Sequence, residues 1–197
     1  VPAERRMQRS SGASHGWMLA GQVDIALLYN PESSATLQIT PFLNEPIYLV
    51  AADANPPRPE ALAAGMIPDG RFRIKRIGSL PLILPGTSHS LRNLIERTAS
   101  DHRITLDIVN EVDGIRAMKA IVEAGLGYTI FSYAGIYEEV RAGTLRMIPF
   151  VPALNWNLSL VERRDVTPSR ALIELRRIIT RQIVVVRERG FWHGTLL

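Results

Sequence analysis

The sequence predicts an α/β fold, and two observations carry that reading. Short apolar runs bounded by Gly or Pro alternate with amphipathic stretches along most of the chain, and those runs are rich in branched residues. This order builds βαβ units, in which helices cover both faces of a largely parallel sheet, so its strands need no polar side.

The runs at 23–29 (VDIALLY), 47–51 (IYLVA) and 82–84 (LIL) read as buried strands. After the third comes Pro85-Gly86, then Thr87, which can cap a helix whose apolar face carries Leu91, Leu94, Ile95 and Thr98. Residues 106–112 predict another strand. It leads through Asp113 and Gly114 into a helix with Ile115, Met118, Ile121 and Val122 on one face, ended by Gly125. Residues 127–131 (GYTIF) form the next strand, and a helix over 132–141 stops at Gly143. Residues 144–150 and 157–162 alternate as two strands with one wet face. Thr167 as cap and Pro168 as first helical residue open a long helix with Leu172, Leu175, Ile179, Ile183 and Val186, running toward Gly190. Between 54 and 76 the composition is rich in Pro, Ala and Arg with weak periodicity, which predicts a loop with one short helix.

Composition narrows the function. With 46% hydrophobic and 21% charged residues the chain can bury a real core, and no apolar run approaches the roughly 20 residues that span a bilayer. It reads as a soluble domain with no membrane partner. Without cysteine it can form neither disulfides nor thiolate metal sites, which suits a reducing compartment, and the cytoplasm is the expected location. The net charge of +4 comes from scattered arginines without interleaved aromatics, so it reads as a solvated surface rather than a nucleic-acid platform. His15, His89, His102 and His193 show no metal-ligand spacing, and no metal or other cofactor is expected. Residues 86–90 (GTSHS) fall short of a nucleophile elbow, because Ser90 stands where G-x-S-x-G needs its second Gly. No catalytic residue is assigned, and the chain does not read as an enzyme.

Residues 21–29 (GQVDIALLY), 43–50 (LNEPIYLV) and 123–131 (EAGLGYTIF), with the helix start at 84–91 (LPGTSHSL) between them, resemble the effector-binding domain of LysR-type transcriptional regulators. The spelling around Ser11 and ALLYNP is closest to the branch that controls nitrogen or sulfur assimilation. The resemblance covers nearly the whole chain. It implies two Rossmann-like lobes with a hinge, of the type 2 periplasmic-binding-protein kind, and an allosteric sensor for a small, anionic metabolite. The first lobe would comprise residues 1–78 and 166–197 and the second 79–165, with crossings near Gly78 to Leu80 and Arg163 to Thr167. The family's opening strand and helix are missing here, and so is its winged helix-turn-helix, the part through which DNA would be bound. At Phe131 and Ser132 the family often has Leu-Pro. Homodimers or homotetramers are what the resemblance implies.

Ligands of open α/β sheets bind outside the carboxyl ends of parallel strands. That rule selects Thr87, Ser88 and His89, whose free N–H groups and hydroxyls could hold a carboxylate, sulfate or phosphate, or could simply cap the helix. Asp113 occupies the equivalent turn and could accept from a ligand amine or hydroxyl, or be only a cap. Tyr29 and Asn30 end their strand on the same side, although Tyr29 also suits a half-buried core position. Ser11 could present its N–H from the opposite lobe. Phe131 and Ser132 could floor the crevice, with core packing the alternative for Phe131. The rival from another class is a solute-binding receptor of a transport system, which has the same two-lobed architecture.

Overall fold

The computed structural model describes residues 16–197. Residues 16–19 are helical, and Ser11 lies outside the described residues. The elements that follow are β1 (Ile25–Tyr29), β2 (Leu37–Ala52), α1 (Pro59–Gly65), β3 (Phe72–Arg73), β4 (Pro81–Leu84), α2 (Ser90–Asp101), β5 (Asp107–Glu111), α3 (Ile115–Glu123), β6 (Thr129–Ser132), α4 (Tyr133–Ala142), β7 (Leu145–Arg163), α5 (Arg170–Glu188) and β8 (Thr195–Leu196).

Two long antiparallel strands organise everything else. Leu37 to Ile47 of β2 pair with Leu154 to Arg163 of β7, and Tyr48 to Ala52 pair with Leu145 to Pro149. Between these ladders the register jumps, so that residues 150–153 of β7 have no partner on β2. Proline explains the break: Pro149 and Pro152 have no N–H to donate to a ladder. β3 takes up the released stretch by pairing in parallel with Phe150 and Val151.

This ribbon is the centre of one sheet ordered β1-β7-β2-β6, and its two halves carry different neighbours. In the first, β1 pairs with the later half of β7 and β8 with Leu43 and Asn44 of β2. In the second, β6 adds to the later half of β2, and Tyr128 just before it bonds β4, with Ile83 N donating to Tyr128 O at 2.7 Å. β5 pairs in parallel with β4 at the far side. Parallel pairing is thus limited to β4 with β5, the approach to β6, and the short β3 against β7.

Each half has its own buried layers. Met18, Leu28, Leu37 and Val161 pack together on the first half, as do Leu43, Leu158 and Ile183 with α5. The larger core joins Leu49, Leu82, Leu84, Leu91, Ile95, Tyr128 and Phe150, and the opposite face joins Val50, Ile83, Met118, Val122 and Ile136. All four residues of β4 are buried, the condition for a central strand covered on both sides. Fully burying each such aliphatic side chain contributes about 1.5–3 kcal/mol.

Several local expectations are corrected. The strand expected at 47–51 is 16 residues long, and the two strands expected at 144–150 and 157–162 are one strand of 19. Residues 74–79 are a 3₁₀ helix with Ile74 and Ile77 buried, and Leu80 leads from it into β4. Ser169, not Thr167, caps α5, its hydroxyl accepting from Leu172 N at 3.2 Å. Gly143 ends α4 as expected, at φ 72°, where a side chain would be strained.

Candidate functional site

β4 delivers the chain to Pro85 at its carboxyl end, and α2 starts only at Ser90. The intervening turn is tied from three directions. His89 N donates to Gly86 O at 3.0 Å, Gly86 N donates to Asp113 Oδ1 at 2.9 Å, and Arg92 Nη1 donates to Pro85 O at 3.0 Å. Arg92 is itself buried and bonds Glu96 at 2.7 Å and Glu111 at 3.2 Å, so one guanidinium links helix, turn and the end of β5. A rigid turn results, with Thr87 and Ser88 exposed at its tip.

The expected helix cap is corrected here. Neither Thr87 nor Ser88 caps α2; His89 does, its Nδ1 accepting from Leu91 N at 3.2 Å. That bond requires a neutral ring nitrogen, and burial holds the His89 pKa below its ordinary value while the nearby Asp113 charge opposes the shift. Asp113 caps nothing either: Gly114 is the cap residue of α3, without a side-chain bond, and Asp113 is turned back onto Gly86.

Facing this helix start is the end of β1. Asn30 adopts φ 44° and is held by a two-way bond to β7, its N donating to Asn157 O at 2.9 Å and its Oδ1 accepting from Asn157 N at 2.8 Å. Between the two faces lies a cavity of about 200 Å³ lined on one side by Leu28, Tyr29, Asn30, Pro31 and Glu32, and on the other by Ser88, Ser90, Asn93, Leu94 and Arg97. The spacing of 90, 93, 94 and 97 puts those four side chains on one face of α2. Ser90 Oγ is buried without a hydrogen-bond partner among the described residues, and Arg97 there has no ion-pair partner. The volume suits a small metabolite, below the range typical of drug-sized ligands.

Of the residues singled out from sequence, Tyr29, Asn30 and Ser88 meet in this cavity. Thr87, His89 and Asp113 stand beside it in the turn but are not among its lining residues. Phe131 is half-buried in both main cores, with its ring lying against Gly135 so closely that a Cβ there would fall 2.2 Å from it. Ser132 is buried at the end of β6. Glu32, Ser90, Asn93 and Arg97 were missed. The helical spacing after the helix start was the signal for the last three, whereas nothing local marks Glu32.

Beneath Tyr29 lies a polar knot with no counterpart in the sequence reading. Tyr29 OH donates to Glu45 Oε2 at 2.7 Å and Trp156 Nε1 donates to the same oxygen at 3.0 Å, with the Tyr29 and Trp156 rings stacked at 3.8 Å. Glu45 is fully buried, and desolvation holds its carboxyl above the usual carboxylate range despite those donors. Burial, then the Glu45 charge, pushes the Tyr29 phenol far upward, so the hydroxyl stays a donor.

A family model described as the LysR substrate binding domain matches residues 7–183. The chain belongs to that family. Among curated proteins, this LysR substrate-binding domain is similar to the HTH-type transcriptional regulator BbuR of Bordetella bronchiseptica, at 27% identity over 179 residues, covering 90% of this chain and 52% of that protein. The chain therefore spans about half the length of that relative. Among solved structures it resembles the Synechocystis PCC6803 CcmR regulatory domain in complex with 2-PG, with TM-score 0.74, 14% identity, and 87% of this chain and 78% of that one covered. It also resembles the effector-binding domain of QuiR in complex with shikimate, with TM-score 0.73, 16% identity, and coverage of 89% and 79%. At such identities the likeness is one of fold: two Rossmann-like lobes with a hinge, of the type 2 periplasmic-binding-protein kind. Among the described residues no helix is long and apolar enough to cross a membrane.

Proposed function

We propose that this domain senses a small anionic metabolite in the cavity between β1 and α2 and passes the occupancy on allosterically to a LysR-type transcriptional regulator of which it is a part. The observation that carries the reading is that the cavity is walled by one segment from each half, so a guest touching both biases their relative orientation. The two lobes of this proposal are residues 16–46 with 154–197, and 47–153, divided where the β2–β7 register jumps. Ser88, Ser90, Asn93 and Arg97 would receive an anionic group, and Asn30, Glu32 and Tyr29 a hydroxyl or ammonium group. Thr87 contributes from the turn, while His89 and Asp113 act by holding that turn; Ser132 and Phe131 belong to the buried core.

The similar proteins are transcriptional regulators, which supports this reading over a transport receptor or an enzyme. The ligands named with CcmR and QuiR support a small-metabolite effector, and shikimate is a hydroxylated carboxylate. DNA binding by another part of the longer protein, pairing into a homodimer or homotetramer, and a cytoplasmic location belong to the same proposal.

Thermal unfolding with shikimate, 2-PG, sulfate and a panel of amino and hydroxy acids tests it. A ligand at a hundred times its Kd adds about 2.7 kcal/mol of stability. Arg97→Ala with Ser88→Ala should abolish that gain while leaving the unliganded melting point within a degree or so. A panel-wide absence of any shift, with folded protein, sinks the reading.

A further inference from the structure

Residues 191–197 fold back onto both halves of the β2–β7 ribbon. Gly190, at φ 74°, turns the chain away from α5, and Phe191, Trp192 and His193 then run back across the place where the two halves meet. β8 adds to β2 at Leu43 and Asn44, Leu197 N donates to Phe42 O at 3.0 Å, and Arg187 Nε donates to Gly194 O at 3.0 Å. These anchors lie on the first half of β2 and on α5, which packs against it. Trp192 packs there too, against Leu43, Leu158 and Ile183.

The neighbouring side chains reach the other way. His193 stacks on Tyr133 of α4 at 3.8 Å and 11°, and its Nδ1 lies 3.3 Å from Tyr48 OH on the later half of β2. Phe191 meets the Tyr137 ring edge-on at 4.9 Å. These partners belong to the second half and its helix. One short segment therefore holds both sides of the crossing, through backbone pairing on one and aromatic contact on the other.

The buried Glu45 carboxyl sits under this segment. Its Oε1 and Trp192 Nε1 are both buried with no hydrogen-bond partner among the described residues, and each is the complement the other lacks. The indole stands close enough to influence the carboxyl but outside hydrogen-bond geometry. Two unpaired buried groups cost more apart than joined. The same carboxyl holds Tyr29, which lines the cavity.

We propose that Phe191 to Leu197 form a strap that restrains the relative orientation of the two lobes, with Glu45 as the catch connecting the strap, through Tyr29, to the cavity wall. The strap rests on the lobe division above and needs no particular effector. It predicts that loosening the tail frees the lobes even without a ligand.

The absence of native cysteine allows a clean test: Ser33→Cys and Asp101→Cys, both exposed and one on each lobe, carry spin labels whose separation is measured by pulsed dipolar spectroscopy. The intact chain should give one narrow distance distribution. Ending the chain after Gly190, or Tyr133→Ala, should broaden or shift it, and Trp192→Phe should do so more weakly. If truncation prevents folding by circular dichroism, Tyr133→Ala combined with Tyr137→Ala carries the test, because the pair removes the aromatic second-lobe contacts of His193 and Phe191 and leaves the first-lobe anchors in place. A distribution unchanged by that double variant and by a folded truncation overturns the strap. An unresponsive ligand panel would leave that result untouched and count only against the effector reading.

Discussion

The starts of α2 and α3 look alike in sequence and do different work. Each follows one of two paired parallel strands, β4 and β5, and each was expected to offer a cap and a ligand contact at its first turn. At α2 the turn projects Ser88 into the cavity while His89, an unusual capping residue, closes the helix. At α3 the acid of the turn, Asp113, is spent on Gly86 of the neighbouring turn. Adjacent parallel strands bring their loops side by side, so one loop can face a guest only if the other holds it still.

This division of labour can be challenged by mutation, beginning where the effect should be largest. Arg92→Ala removes the one guanidinium joining Pro85 O, Glu96 and Glu111 and leaves a buried carbonyl without a donor, so it should cost about 2–3 kcal/mol in denaturant unfolding. If the loss is under half a kilocalorie, the turn is not held as described. Asp113→Ala should cost about 1–2 kcal/mol and raise exchange of the Gly86 amide, whereas Asp113→Asn, which keeps an acceptor oxygen, should recover most of it. Equal losses in both variants would show that charge, not the hydrogen bond to Gly86, is what matters there.

The smallest effect is the pH response of the α2 cap. Because the folded His89 pKa lies below its ordinary value near 6.5, its contribution is fully present above that pH and is lost as pH falls through the depressed value. The sign follows from protonation occupying the nitrogen that accepts from Leu91 N. Replacing it by His89→Asn should keep a cap worth about 1 kcal/mol while removing the pH dependence of Leu91 amide exchange between neutral pH and pH 5. An exchange rate with the same pH profile in both proteins would place the titrating group elsewhere.

Much of the fold was legible because it depends on neighbours in sequence. Alternation of apolar runs and amphipathic stretches located β1, β4, β5, β6 and all three helices from α2 to α4, and Gly125 and Gly143 marked ends that demand positive φ. The long strands were harder to see. Pro41, Pro46, Pro149 and Pro152 punctuate β2 and β7 as if they were loops, and only the partner strands, whose pairing shifts register between Pro41 and Leu43 and between Ile47 and Tyr48, make them continuous. The site was half legible for the same reason. Tyr29, Asn30 and Ser88 stand at strand ends or helix starts, where a general rule points, but Arg97 and Glu32 enter only by facing each other across folded space. Glu45 was visible solely as a letter in LNEPIYLV, with nothing to say that Trp156 and Trp192, more than a hundred residues away, would close over it.

By itself, then, the sequence determined the α/β class, most element positions, the family and the strand-to-helix turn at which a guest is expected, because each of these is encoded in spacing along the chain. Which hydroxyl faces the cavity, which acid braces the turn, where the β2–β7 register breaks and what the C-terminal aromatics clasp were decided by tertiary structure. Those outcomes depend on contacts between residues far apart in the chain, and no local pattern specifies the orientation in which two such surfaces meet.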